Sequence, residues 1–541
     1  MSAGAPPGAV PASSDAFAWL ADFLDTCRRE NLLVEEIAAG GLAPARLVRL
    51  DPEDWGAFAR VAAGAGLRWC AVWGEHRDAR IEISACLEHG GGYLLARTAV
   101  LVRTPVLPSH TPHYPAADRP ERHLQDLLGV AFSDHPDTRR WVRHQAWSEQ
   151  EFPLRTDFPL YGHPSDETPP DADYPFLRAH GTGVHEIPVG PVHAGIIEPG
   201  HFRFQAVGEA VLNLEERLGY THKGIEKLAE GRDAQGLARL AARVSGDSTV
   251  AHAWAACMAM ERAAGCEVPA RALAVRAILA ERERIANHLG DVGAICNDVG
   301  FAFAWYQFSR LRELWQRDNA RVFGHRLLRG AVVPGGTAAD VCAREAAELA
   351  RGAVGLGDEL DQLVPILEEN ASLQDRLVGT GVLAAGPAVH LGVLGCVARA
   401  GGIDRDVRRD TPYAPYDRLT VRVPVCTEGD VAARVRVRLE EIRVALELQG
   451  WLLDALPGGP VCRPWGVAPE GAEGLGIVEG WRGETLAYVR FGARGAVRRY
   501  YPRDPSRLNW PALEVLIGGN IVPDFPVCNK SVNGSYSGHD L

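Results

Sequence analysis

Residues 183–226 concentrate the chain's titratable groups on turns. Two Pro-Gly-rich turns, Pro188 to Pro191 and Glu198-Pro199-Gly200, carry His185, Glu186, His193, Glu198 and His201. Histidine and carboxylate side chains in this density suit proton transfer near neutral pH. A structured loop with satisfied histidines is the plainer alternative. Phe202, Phe204, Val207, Val211, Leu214 and Leu218 then recur at roughly helical spacing, which predicts an amphipathic helix behind the loop. After it, Tyr220-Thr221-His222-Lys223-Gly224-Ile225-Glu226 is again dense in groups able to carry protons.

The chain is 541 residues long and 46% hydrophobic, enough for a large core and two or more domains. A net charge of −12 gives no support for a nucleic-acid partner. Of 57 basic residues only Lys223, Lys227 and Lys530 are lysine, the first two in or directly after the 183–226 stretch and the third in the C-terminal tail. A compact, strongly hydrated ammonium is not interchangeable with guanidinium. No pair among the eleven cysteines has Cys-x-x-Cys spacing, which argues against a zinc or cluster module and against a disulfide scaffold. The start, MSAGAPPGAVPASSDAF, lacks the basic and apolar regions of a signal peptide. Residues 377–398 carry no Asp, Glu, Lys or Arg, yet five glycines and Pro387 point to a buried helix–loop rather than a membrane span.

The expected fold is α+β. Residues 1–14 read as a disordered tail. A helix over 15–37, with Asp15 as N-cap, precedes strands at 47–50, 67–73, 81–86 and 93–102, the last two joined by the Gly90-Gly91-Gly92 turn. This predicts a small α+β domain over 15–160, with 161–175 as a Pro-rich polar linker and a mainly helical domain over 176–541. In the second domain, 271–291 predicts a long helix with Glu281, Arg282, Glu283 and Arg284 outward. Further helices are expected at 304–322, 338–353, 357–370 and 429–455, then short strands at 474–502 and a last helix near 510–517.

The run Gly190-Pro191-Val192-His193, continuing through Glu198-Pro199-Gly200-His201-Phe202, with His222-Lys223-Gly224-Ile225-Glu226, resembles the large subunit of membrane-bound group 4 nickel-iron hydrogenases. The formate hydrogenlyase large subunit, of hydrogenase-4 type, is the nearest kind. The same residues are similar, less closely, to the quinone-site subunit of respiratory complex I. Val478-Glu479-Gly480-Trp481-Arg482-Gly483-Glu484 and Gly401 to Arg408, with Pro412-Tyr413 and Tyr416, resemble motifs of the same family. Residues 121–140 (Glu121 to Arg140) resemble the signature of complex I's small peripheral-arm subunit, and the segment reads as a docking element whose Arg139-Arg140 pair is aimed at a partner.

The resemblance implies four thiolates in two Cys-x-x-Cys pairs, because soft sulfur ligands select nickel and iron. Here the first pair falls on Ser245 and Ser248, and the second on Ser535 and Gly538. Cys528 has no partner at the required spacing. The expectation is a degenerate site without a nickel-iron centre, lined by Ser245, Asp247, Ser248, Ser535, Tyr536, His539 and Asp540. His193 falls where complex I's quinone loop has its first histidine, so a quinone stays open as cofactor. His193, Asp247 and His539 are the candidate proton carriers, with Asp247 and His539 expected to pair. No Gly-rich dinucleotide loop is present, so no NAD site is recognisable.

The resemblance further implies a peripheral subunit on the cytoplasmic face of the membrane, with an iron–sulfur subunit and antiporter-like ion-translocating membrane subunits as partners. Two alternatives stay open: a non-catalytic coupling or assembly subunit, and a quinone-reactive NADH dehydrogenase-like subunit.

Overall fold

The computed structural model describes residues 16–162, 173–193 and 197–541. Asp15, the 1–14 tail and most of the expected linker (163–172) lie outside the described residues.

The first helix is shorter than its apolar spacing suggested. Ala18–Arg29 is helical, and the chain then turns into strand β1 (Val34–Ile37). With β2 (Ala45–Leu50), β3 (Arg68–Arg77), β4 (Arg80–His89) and β5 (Gly92–Leu101) it forms a sheet of order β1-β2-β5-β4-β3. Gly90 and Gly91, at φ 55° and 85°, make the β4–β5 turn in a backbone region that favours glycine. Ile81, Ile83, Ala85 and Leu87 are buried on β4, where period-2 alternation drives the strand.

This sheet packs on a second, antiparallel sheet of strands Glu473–Gly480, Gly483–Phe491 and Val497–Arg503. Trp73 lies between Tyr488 and Tyr501, with ring centroids 5.0 and 5.2 Å away. Around these rings Arg68 pairs with Glu484 (2.5 Å), Arg97 with Glu473 (3.0 Å) and Arg490 with Glu75 (2.7 Å). Burying three large aromatics contributes about 1.5–3 kcal/mol each before ordering costs, so the N-terminal sheet is anchored firmly on residues four hundred positions later.

The predicted amphipathic helix over 202–218 is instead a β-hairpin, His201–Val207 and Ala210–Arg217, turning at Gly208. Phe202, Phe204 and Ala206 alternate inward on one strand and Val211 and Leu214 on the other. The turn, and a bulge between Val211 and Asn213, reset the phase of alternation and imitate a spacing of three and four.

The long helix is Ala270–Asp298, preceded by Pro269. Its charged run does not face solvent: Glu281, Arg282, Glu283 and Arg284 are all buried. Helices Ala302–Phe323, Val431–Asp454 and Phe525–Val532 surround it, so no face is left for water. Each head group is instead satisfied from within, Glu281 and Arg284 by opposite charges, Arg282 and Glu283 by ring, amide or backbone contacts, with burial raising Glu283 from 4.5 to about 8. Arg284 and Arg408 reach Glu281 (3.1 and 3.0 Å), Arg282 lies over the Trp315 ring, and Glu283 accepts from Val250 and Ala251 N–H. A buried charge is tolerable only when paired and hydrogen-bonded.

Residues 338–370 form one helix from Ala343 to Glu369, not two, with Pro365 accommodated inside it. The last long helix is Ser506–Leu516, and two short helices, Phe525–Val532 and Tyr536–Asp540, follow. Segment 377–398 is divided: Val393 to Ala398 is buried, whereas Val378, Val382 and Val389 are exposed. No helix among the described residues is long and apolar enough to cross a membrane.

Candidate functional site

Three strand or helix ends meet where the resemblance places the four ligand positions. The turn after helix Ala234–Ala241 supplies Ser245, Asp247 and Ser248, the last at the start of helix Thr249–Ala264. The tight turn between strands Glu473–Gly480 and Gly483–Phe491 supplies Trp481 and Arg482. The C-terminal segment supplies Ser535 and Gly538. Ser535 caps helix Tyr536–Asp540, accepting from Gly538 N–H at 2.9 Å.

The four positions converge. Ser245 Oγ is 2.7 Å from Ser535 Oγ and 2.8 Å from Asp247 Oδ1. Arg482 clamps Asp247 in a two-pronged contact (Nη1–Oδ1 2.6 Å, Nη2–Oδ2 2.7 Å) and also donates to Ser248 Oγ at 3.0 Å. The guanidinium stacks on the Trp481 ring, and its Nε donates to Asn533 carbonyl oxygen. Trp481 Nε1 in turn donates to the Asp247 carbonyl at 2.8 Å. At Gly538 the fourth position is walled off: a Cβ added there would lie 2.6 Å from Asp504 Cγ and Oδ2. Asp504 is buried and bonded to His252 Nε2 at 2.8 Å.

Burial pushes the Asp247 carboxyl up, but the Arg482 guanidinium and the Ser245 hydroxyl more than reverse it, so Asp247 titrates below the usual carboxylate range. Asp504 is likewise held low against burial by His252 and Arg482. Burial lowers His539, so its ring is neutral near pH 7.

The expected Asp247–His539 pair does not form. Asp247 is bound to Arg482, and His539 Nδ1 instead meets Asp540 Oδ1 at 2.8 Å. The reason is geometric: His539 sits on the far side of the Tyr536–Asp540 helix, edge-on to Trp141. It is buried, not part of a loose tail. Asp540 also accepts from Thr221 N–H and Oγ1 (2.9 and 2.6 Å), and its carbonyl meets His222 Nδ1 at 2.8 Å.

His193 stands one layer away, its Nε2 2.8 Å from Gly200 carbonyl oxygen and its ring 5.9 Å from Phe202. Glu198, on the same loop, reaches the site directly by accepting from Ser537 N–H at 2.9 Å. Lys223 donates to the carbonyls of Arg243 and Val244, just before Ser245, and burial lowers its pKa. Cys528 packs against Gly381, outside these contacts. The Arg139-Arg140 pair is engaged within the chain: Arg139 holds Asp137 and Glu215, and Arg140 holds Asp173.

Arg482, His252 and Asp504 were not singled out as site residues from sequence. Arg482 had a signal, since it lies in the Val478–Glu484 motif. His252 and Asp504 had none, because only the fold sets Asp504 against Gly538.

Fold and site together define a large-subunit scaffold of the hydrogenase and complex I kind, with a complex I small-subunit-like sheet joined ahead of it. Family models match in that order: the respiratory-chain NADH dehydrogenase 30 Kd subunit over residues 48–164, nickel-dependent hydrogenase over 223–290, and the 49 Kd subunit over 298–465. The chain is 33% identical to formate hydrogenlyase subunit 5 of Escherichia coli over 82% of its length and 79% of that protein's. Hydrogenase-4 component G of the same species is also 33% identical, over 80% of this chain and 75% of that protein. The C/D component of NADH-quinone oxidoreductase from Phocaeicola vulgatus is 31% identical over 71% and 77%. A solved structure, from the membrane-bound sulfane sulfur reductase described as an archaeal respiratory membrane complex, superimposes with a TM-score of 0.63 at 28% identity. It covers 67% of this chain and all of that one. The chain belongs to the family that includes formate hydrogenlyase subunit 5, hydrogenase-4 component G and the C/D component of NADH-quinone oxidoreductase.

Proposed function

We propose that this chain is the peripheral-arm large subunit of a membrane-associated oxidoreductase complex related to hydrogenase-4 and complex I, in which a carboxylate–guanidinium–hydroxyl network replaces the nickel-iron centre. The observation that carries the reading is the donor set at the converged positions. Ser245, Ser248 and Ser535 offer neutral hydroxyls, Gly538 offers nothing, and the one carboxylate among them is already held by Arg482. Hard, weakly basic oxygens do not meet the soft-ligand demand of nickel and low-valent iron. The residues do not fit that centre. The chain's place is in a complex that moves electrons and ions, alongside an iron–sulfur subunit and antiporter-like membrane subunits at the cytoplasmic face of the membrane.

Metal analysis of the purified complex is the direct test. We expect nickel well below one atom per chain and no hydrogen uptake or evolution. Nickel at one per chain would overturn the reading.

A second reading, quinone chemistry, is favoured by a groove of about 740 Å³ lined by Trp147, Phe158, Tyr161, His222 and Lys223. It offers aromatic faces and hydrogen-bond donors to a flat head group. Lys223 links its wall to the segment just before Ser245. Extraction of the complex should then yield bound quinone, and Trp147→Ala should lower its content.

A further inference from the structure

A cavity of about 420 Å³ opens on the other side of the C-terminal segment. Its charged lining comes from several elements. Asp118, Arg119 and Arg122 lie on helix Asp118–Leu128, and Asp137 and Arg139 on the loop beyond it. Glu215 and Glu216 come from the hairpin, and Arg507 and Glu514 from helix Ser506–Leu516. Five carboxylates face four guanidiniums. Arg122 and Arg139 hold Asp137, Arg139 also holds Glu215, and Asp118 lies near Arg122 and His135. Arg507 is directed elsewhere, to His539 carbonyl oxygen and the His123 ring.

That leaves Glu216 and Glu514 sharing one guanidinium. Arg119 reaches Glu216 Oε2 at 2.9 Å and Glu514 Oε1 at 2.7 Å, and Glu514 Oε1 also accepts the Glu216 N–H at 2.7 Å. Glu216 is 1% exposed, and its Oε1 is buried with no hydrogen-bond partner among the described residues. An ionised, half-satisfied carboxylate in such a place is costly, whereas a carboxylic acid is not. We propose that Glu216 and Glu514 form a proton-loading site that holds one proton between them and exchanges it with water in this cavity.

The electrostatics agree. Burial, with Glu514 nearby, drives Glu216 well above its ordinary range against the pull of Arg119, and burial raises Glu514 as well. The exchange is a simple proton transfer: cavity hydronium protonates one carboxylate, leaving water, and the reverse step returns the proton. A second, inner cavity of about 10 Å³, room for a single water, shares Arg119, Trp141 and Arg507 with the outer one and ends on His123 and His539. This inner cavity lies beside the C-terminal segment that carries Ser535 and Gly538. The glutamate pair takes its purpose from the function proposed above but not its footing, since neither glutamate belongs to the Ser245–Asp247–Arg482 network.

Infrared difference spectroscopy on the purified complex tests it. At neutral pH the wild type should show a protonated-carboxyl component that shifts promptly in D2O and is missing from both Glu216→Gln and Glu514→Gln, because either change leaves Arg119 a single carboxylate to hold ionised. Val515→Trp, a substitution at the half-exposed cavity mouth, should slow the deuterium shift at least tenfold and keeps the test alive if the glutamine variants do not assemble. Identical carboxyl spectra in wild type and variants, or exchange unaffected by Val515→Trp, would overturn the proposal. Neither outcome depends on nickel content, so the two failures are distinguishable.

Discussion

Two buried sets of charges flank the turn at Gly480–Gly483, and they are built differently. Behind it, Glu479, Glu441, Glu281 and Asp406 interlock with Arg399, Arg408 and Arg284. Arg399 alone bridges Glu441, Asp406 and Glu479, and Glu441 also meets His288 at 2.8 Å. In front of the turn, Arg482 meets one carboxylate, Asp247, and the remaining contacts are hydroxyl or carbonyl oxygens. The Asp247 side chain keeps 35% of its exposure, while the Arg399 cluster is sealed. The rear set is multiply cross-linked and fixes the scaffold. The front set is sparsely linked and open on one side. The hairpin carries one member of each set, Glu479 behind and Arg482 in front.

The contrast breaks first at Arg399. Arg399→Met leaves Glu441, Asp406 and Glu479 short of a partner in a sealed interior, which should cost about 3–5 kcal/mol. A fall in the denaturation midpoint of less than a few degrees would mean the rear set is not structural.

Next comes Gly538→Cys, which drives a Cβ into Asp504. We expect a loss of about 1–3 kcal/mol from overpacking. The combined Ser245→Cys, Ser248→Cys, Ser535→Cys and Gly538→Cys variant should still fail to take up stoichiometric nickel, because Arg482 and Asp504 fill the space. Stoichiometric uptake would show that the thiolates alone were missing.

Arg482→Met should destabilise less, by about 1–2 kcal/mol, since the partly exposed Asp247 can recruit water. Equal losses for Arg482→Met and Arg399→Met would erase the distinction between front and rear.

The smallest effect is on pH dependence. Burial and the neighbouring Asp406 raise Glu479 from 4.5 to about 7, as expected where four carboxylates face three guanidiniums. Between those values the folded state binds the extra proton, so this group's stabilisation is present at low pH and is lost as pH rises from about 4.5 to about 7. Asp247 has the opposite sign: its folded value is depressed, and its contribution is lost as pH falls. Glu479→Gln should flatten the decline in denaturation midpoint between pH 5 and 7. An unchanged slope would place the proton elsewhere.

Much of the architecture was legible in the chain. The strands over 47–102 were marked by alternation and a triple-glycine turn, and the long helix by its apolar stripe. Ser245, Ser248, Ser535 and Gly538 were picked out together from motif alone, and the structure sets the first three in contact with a common hydrogen-bond network. What misled was phase and partner. The 202–218 hairpin imitated a helix because a turn and a bulge shift a period of two. Glu281 to Arg284 read as a solvated face because charge pattern says nothing of what lies opposite.

By itself the sequence determined the family, the succession of a sheet module and a helical one, and the residue types at the four converging positions, serine at three and glycine at the fourth. Those properties reside in residue identity and local spacing. Only the tertiary structure decided that Asp247 belongs to Arg482 rather than His539, that Asp504 fills the space beside Gly538, and that Glu216 and Glu514 share one arginine. Each of these is a contact across about thirty to about four hundred residues, or across a segment that folds back on itself. Such pairings are set by how the elements pack, since burial forces every charge to take whichever partner the packing brings within reach.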